Sequence, residues 1–196
     1  MGWFWTVILR ISLKFKGIAP NGCTASGPVK LDLKRNSDVI LGKNIFFRSN
    51  IELKIRDSGS IILGNNIRLD FGVRIVVAEN FRVQIENKVE IGYCSLINCG
   101  EDIKVGEGTA IGGHCILQSS EHVLSSSQKF SVTDGKYIRN KIIIGKNCWL
   151  ASFVLIRPGV TIGNGSIVGA FSLVNSNIPD FTMVAGIPAV KKRNVE

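Results

Sequence analysis

Histidine occurs only twice in these 196 residues, at His114 and His122. That argues against a zinc centre built on three histidines, and no His/Cys constellation supplies another. The five cysteines, Cys23, Cys94, Cys99, Cys115 and Cys148, leave an odd count and form no CxxC pair. They make a poor disulfide framework or metal site, so no metal is expected and a reducing compartment suits them. Acidic side chains are the scarcer sign, 15 against 24 basic ones for a net charge of +9. Anionic partners therefore fit: nucleic acid, phosphates, acidic glycans or an anionic membrane face. A long apolar run is also missing. The opening MGWFWTVIL is broken at Arg10, far short of the roughly 20 residues that span a bilayer. Its positive charge follows the apolar stretch, the reverse of a signal peptide. Two readings of this segment stay open: an element packed over one end of the core, and a peripheral membrane contact through Trp3, Phe4 and Trp5 with Lys14 and Lys16 behind them.

What the chain does have is rhythm. From Ile144 it divides into sixes, IGKNCW, LASFVL, IRPGVT, IGNGSI, VGAFSL and VNSNIP, each led by an aliphatic residue and each with a small or β-branched residue in fifth place. Upstream, LGKNIF at Leu41, LGNNIR at Leu63, IENKVE at Ile85 and VGEGTA at Val105 open rounds of the same kind at spacings of 22, 22 and 20 residues. Such a period marks a parallel β-helix. Three hexads per turn give a three-sided coil of about six turns, and at ~4.8 Å per turn it is roughly 30 Å long. Gly and Asn recur where sharp corners need left-handed backbone angles. The beat fails once, between Val123 and Lys141.

The stretch IGKNCWLASFVLIRPGVTIGNGSIVGAFSLVNSNIPDFTMVAGIPA resembles the C-terminal signature of the hexapeptide-repeat acyltransferases, in particular the O-acetyltransferases of sugars and cell-surface polysaccharides. The resemblance is dense over residues 97–190 and diffuse before them. It implies an all-β fold: a left-handed parallel β-helix over residues 31–190 with one extruded loop (123–141), a short N-terminal cap or extension (1–30) and a basic C-terminal tail (191–196). The periodicity alone does not supply the hand. The resemblance also implies acetyl-coenzyme A as donor, a hydroxyl of a capsular or lipopolysaccharide saccharide as acceptor, and a homotrimer with active sites between subunits. No nucleic-acid partner follows from it. The expected location is the cytoplasm, with the N-terminus as candidate contact to the inner face of the membrane. N-acetylation of an amino sugar, free or nucleotide-linked, is the alternative within catalysis; a non-catalytic scaffold or glycan-binding coil is the alternative outside it.

Acyl transfer from a thioester to a hydroxyl needs a base, an oxyanion donor and a way of holding two substrates together. Histidine, titrating near neutrality, is the natural base. His114 lies inside the regular hexad IGGHCI and reads as a corner or surface residue. His122 ends LQSSEH at the mouth of the interruption, where the resembling enzymes carry their catalytic histidine, so His122 is the expected general base. For Trp149, in NCWLAS, packing against the loop is the plain reading; the resemblance places its indole beside the thioester and acceptor, opposite His122. The amides of Ala151 and Ser152 are candidate oxyanion donors, although the family usually has Gly where Ala151 stands. By position in the motif, Ala151, Ser152, Gly169, Ala170, Asn175 and Gly186 should follow the pantetheine arm, with Lys191, Lys192 and Arg193 near the nucleotide phosphates. Phe171 and Val190 depart from the small and basic residues usual at those places. On the acceptor side the candidates are Asn98, Lys136 and Arg139, and Lys129, Lys136, Arg139 and Lys141 against Asp134 suit an oxygen-rich or anionic sugar.

Overall fold

The computed structural model describes residues 2–123 and 136–195. Successive hexads fold as short parallel strands on three faces in turn. Among the described residues the first face carries nine strands, beginning with Thr24–Ala25, and the second seven, beginning with Val29–Leu33. The third carries six, beginning with Asp38–Leu41. Leu41, Leu63, Ile85, Val105 and Ile144 stand one above the next on the third face, so the 22- and 20-residue spacings of the sequence are rungs of the coil. One rung takes 39 residues; it holds the interruption. Beyond it the rungs shorten to 18 residues, three bare hexads.

Each hexad buries two positions. The leading residues Ile144, Leu150, Ile156, Ile162, Val168 and Val174 are buried, and so are the fifth-place residues Cys148, Val154, Val160, Ser166, Ser172 and Ile178. The small polar members of that series also connect rungs. Ser166 Oγ donates to Pro179 O at 2.7 Å and accepts from Thr182 N–H at 3.2 Å. Thr109 and Ser95 make the same two-way bridge at their own corners, and Ser172 Oγ donates to Gly169 O within its own corner while accepting the Gly186 amide of the next rung. Among the described residues no buried side-chain nitrogen or oxygen lacks a partner, which avoids the penalty of about 1–3 kcal/mol for each unpaired polar group. Burial raises the thiols of Cys23 to about 11 and of Cys99 to about 12; Cys115 and Cys148 are shifted upward for the same reason. These cysteines are free thiols held in the core.

The two ends correct the expected boundaries. The N-terminal extension is an α-helix, Gly2–Phe15, on a coil built of β-strands. Its stop is a Schellman turn: Gly17 at φ +72° donates to Lys14 O and Ile18 donates to Leu13 O, with Leu13 and Ile18 buried together. Leu9 and Leu13 close the apolar column. Thr6 Oγ accepts the Ala25 amide at 2.9 Å and donates to the Ala25 carbonyl at 3.1 Å, so the helix satisfies the open edge of the first strand. Ahead of residue 31, Thr24–Ala25 already pairs with Phe46–Phe47, and the strand Val29–Leu33 pairs with Ile51–Ile55. At the other end, residues 191–194 are not a separate tail. Val190–Asn194 runs antiparallel to Thr182–Ala185 and closes the first face.

Leu53 is fully buried and Ile40 is 57% exposed. Leu53→Ala should lower unfolding free energy by about 2–5 kcal/mol, and Ile40→Ala should stay within about 0.5 kcal/mol, as read from urea denaturation.

Candidate active site

The interruption begins and ends in a two-stranded antiparallel stem. Ser120, Glu121 and His122 pair antiparallel with Arg139, Ile138 and Tyr137, and Val123 N–H donates to Lys136 O at 3.0 Å. The chain thus leaves the coil three residues before the expected Val123, and His122 stands on the stem rather than at the last position of a hexad. Residues 124–135, with Lys129 and Asp134, lie outside the described residues. The stem is rooted at Ser119, which is fully buried. Its hydroxyl accepts the amides of Gly100 and Glu101 and donates to Glu101 O at 2.6 Å.

Two bidentate ion pairs tie the stem to neighbouring rungs. Glu121 accepts from Nε and Nη2 of Arg157, and Arg139 donates through both terminal nitrogens to Glu79. The guanidinium of Arg139 also lies 5.7 Å from the centre of the Phe81 ring and 5.5 Å from that of Tyr137. Each arginine holds its partner carboxyl below the usual glutamate range. Exposed pairs of this kind are individually weak, but the forked geometry fixes orientation.

Between stem and coil lies a cavity of about 740 Å³. His122 and Tyr137 form one wall, with their ring centres 4.4 Å apart. Asn98 and Gln118, register partners on the second face, form the floor, and Asn98 Nδ2 donates to Gln118 Oε1 at 3.0 Å. Arg56, Asp57 and Glu79 close the far side. The structure therefore brings together His122, Asn98 and Arg139 of the expected residues. Lys136 is exposed beside the stem and does not line the cavity, and Arg139 faces it already engaged by Glu79. Asp57, Gln118 and Tyr137 were not foreseen, because each owes its place to a rung or strand partner distant in sequence.

The expected donor-side residues fall mostly on another part of the prism. Ser152, Ala170 and Gly186 occupy the same corner, between first and second faces, on consecutive rungs, with Gly169 beside them; Phe171 N–H donates to Ser152 O and Gly169 N–H to Val184 O. The Ala151 amide is engaged by Val168 O at 2.9 Å, which removes it as an oxyanion donor. The Ser152 amide has no partner among the described residues. Asn175 follows the second-face strand Leu173–Val174 and so stands at the next corner, apart from the others. Lys191, Lys192 and Arg193 are exposed on the closing strand of the first face. Trp149 lies on that same face, 55% exposed, in a shallow depression of about 240 Å³ with Arg68, Glu90 and Ala110. Within one chain the structure does not bring Trp149 into the His122 cavity.

The corner that holds Ser152 and Ala170 carries a feature outside the hexad pattern. Phe71, Tyr93, His114, Phe153 and Phe171 form a continuous column of rings, with centres 4.7–5.4 Å apart at each step. His114, Phe153 and Phe171 hold positive φ angles of 57°, 62° and 54°, a strained region for large side chains. Stacking at the preferred ring separation offsets part of that strain. His114 is thus a corner residue, and Phe171 is the last ring of the column. The column's signal was present as aromatic residues at rung spacing.

The comparisons with known proteins agree with this architecture. Residues 141–176 match the bacterial transferase hexapeptide model, described as six repeats. WcaF of Escherichia coli K12, a colanic acid biosynthesis acetyltransferase by name, is 36% identical over 94 residues, covering 46% of this chain and 51% of its own. The galactoside O-acetyltransferase of Lactococcus lactis is 34% identical over 94 residues, covering 48% and 44%. Among solved structures, AntD of Bacillus cereus, an N-acyltransferase in complex with dTDP-4-amino-4,6-dideoxyglucose and coenzyme A, superposes with a TM-score of 0.66 at 24% identity, covering 81% of this chain and 83% of AntD. That likeness is one of fold. Residues 141–176 thus carry the hexapeptide repeats of that transferase model, and the homologues matched by sequence include sugar and polysaccharide acetyltransferases. The chain spans about half the length of the curated relatives it matches.

The folded carboxyls of Glu79 and Glu121 sit below the ordinary value of 4.5. Their contribution to docking the stem is therefore complete above 4.5 and is lost as pH falls through the lowered folded-state values. Amide exchange at residues 120–122 and 137–139, corrected for its intrinsic pH dependence, should show steady protection at neutral pH and loss in that acid window. Arg139→Gln should weaken protection at neutral pH and leave only the Glu121 part of the acid response.

Proposed function

We propose that the protein is an acetyl-coenzyme A-dependent O-acetyltransferase that esterifies a hydroxyl of a capsular or lipopolysaccharide saccharide, with His122 as general base. The observation that carries this reading is the hairpin cavity: it exposes one imidazole on its wall above a floor of side-chain amides. A polar cleft of about 740 Å³ has the size and donor–acceptor content of a site for an oxygen-rich ring. The names of the sequence homologues support the sugar class, and the coenzyme A held by AntD supports an acyl-coenzyme A donor.

In this reading the thioester supplies an activated acetyl group. His122 takes the hydroxyl proton as the acceptor oxygen attacks the thioester carbonyl, then returns it to the departing thiolate, which leaves an ester and a free thiol. The Ser152 amide, having no partner on its own rungs, is the oxyanion donor in place of Ala151. Small residues at Ser152, Gly169, Ala170 and Gly186 leave the corner open to a long, narrow donor, and Lys191, Lys192 and Arg193 at its end suit the phosphates. His122 lies where the chain leaves the second face for the third, and the donor corner lies at that face's other edge, with Trp149 on the face beyond. A site containing all of them therefore draws on two copies, as in a homotrimer of parallel prisms.

Free-thiol release from acetyl-coenzyme A over a panel of saccharides tests the activity, and base-labile acetate on the product distinguishes an ester from an amide. His122→Ala should lower turnover by about 10²–10⁴, while His114→Ala, which alters only the aromatic column, should change it far less. Equal losses from both, or no thiol release with any saccharide, would remove the proposal.

A further inference from the structure

The N-terminal helix is apolar on two sides, and only one of them is covered. Leu9 and Leu13 face the coil, Trp5 packs half-buried against the same core, and Arg10 Nε donates to Cys23 O at 3.0 Å. On the other side Phe4, Ile8, Ile11 and Phe15 recur at helical spacing, and Phe15 is 88% exposed. Trp3, 80% exposed, flanks them. A helix on a protein surface normally turns charged residues to solvent there. This one contains no Asp or Glu, and the first acidic residue of the chain is Asp32. Of the aromatic residues that the sequence offered for a surface contact, Trp3 and Phe4 are free for it and Trp5 is not.

Cations gather at the C-terminal end of the same helix. Lys14 and Lys16 are exposed, and a notch of about 190 Å³ is lined by Lys16, Ile18, Leu33, Lys34, Arg35 and Ser37. Asp32, the nearest acid in sequence, is paired with Lys54 at 2.6 Å. Among the described residues Lys16, Lys34 and Arg35 belong to no ion pair. This charge selects the occupant. A second copy meeting the stripe face to face would bring two such clusters together, at a Coulomb cost, whereas an anionic bilayer offers hydrocarbon to the stripe and phosphates to the cations. The helix is too short to cross a membrane, so a bilayer would meet it only along its outer face.

We propose that the outer face of the N-terminal helix and the adjoining basic notch form a docking surface for an anionic lipid bilayer. Trp3, Phe4, Ile11 and Phe15 enter the boundary between headgroups and acyl chains, and Lys16, Lys34 and Arg35 meet lipid phosphates. The inference is independent of acetyl transfer, and its test does not measure activity. The intact protein is sedimented with vesicles of phosphatidylcholine alone and of phosphatidylcholine with phosphatidylglycerol, at low and high salt. Binding to the anionic vesicles is expected, weaker by about tenfold or more on neutral vesicles and at high salt. The triple variant Trp3→Ser, Phe4→Ser, Phe15→Ser, with circular dichroism and melting unchanged, should lose about tenfold or more in partitioning. Lys16→Gln, Lys34→Gln, Arg35→Gln should lose the preference for anionic lipid. Absence of binding to anionic vesicles, or undiminished binding by the apolar variant, overturns the proposal. It is equally overturned if the apolar variant changes the sedimentation coefficient of the lipid-free protein, because the stripe would then belong to a second copy.

Discussion

Every part of this structure depends on one registration: each rung must set its aliphatic residues directly over those of the rung below. Leu53 over Ile75, Ile75 over Ile97 and Ile97 over Leu117 build the column on the second face, and backbone hydrogen bonds along each face hold the same alignment. The inward positions have almost no freedom, because a slip of one residue would turn the buried set outward. The outward positions and the corners are unconstrained by the column. That asymmetry explains why a rung of 39 residues is tolerated. The chain departs after Ser119 and rejoins in register at Ile142, so the column is uninterrupted, and the entropy of closing a longer loop grows only slowly with its length.

The same asymmetry decides what a reader of the sequence could see. The hexads from Ile144 onward, the 22- and 20-residue rounds and the position of the interruption are all properties of the inward set, and each reappears as a rung. The antiparallel stem does not follow from periodicity, since Ser120–His122 and Tyr137–Arg139 are mixed polar and apolar strands far too short to show a period. The pairing of Arg139 with Glu79 spans 60 residues and arises only because the excursion folds back over an earlier rung. Residues 191–196 look like a basic tail in the sequence because charged residues gather there; the strand Val190–Asn194 takes its place from backbone pairing, which sequence patterns do not report. The helix was legible as an apolar segment followed by basic residues, but not as a helix, because its run of aromatic and β-branched residues carries little helix propensity.

The residues that the sequence suggests for one site stand at separate places in the fold. His122 and Asn98 line one cavity, and Ser152, Gly169, Ala170 and Gly186 line one corner. These are two separate places on the prism, and Trp149 stands at neither. The fold accounts for this separation: a column that admits nothing inward leaves only faces, edges and excursions for chemistry, and one prism cannot turn two of its faces toward each other. A second copy placed alongside can present its own face to the first copy's hairpin. The proposed assembly is in this sense a consequence of the solenoid's geometry as much as of the residues.

Complementation between two damaged chains tests that claim most directly. His122→Ala and Trp149→Ala chains are refolded together in equal amounts, and thiol release is compared with each variant refolded alone. If the site takes His122 from one copy and Trp149 from the next, random assembly leaves about one quarter of the sites intact, and the mixture should recover about that fraction of the unmodified protein's activity. A mixture no more active than the mean of the two separate variants would contradict a site shared between copies.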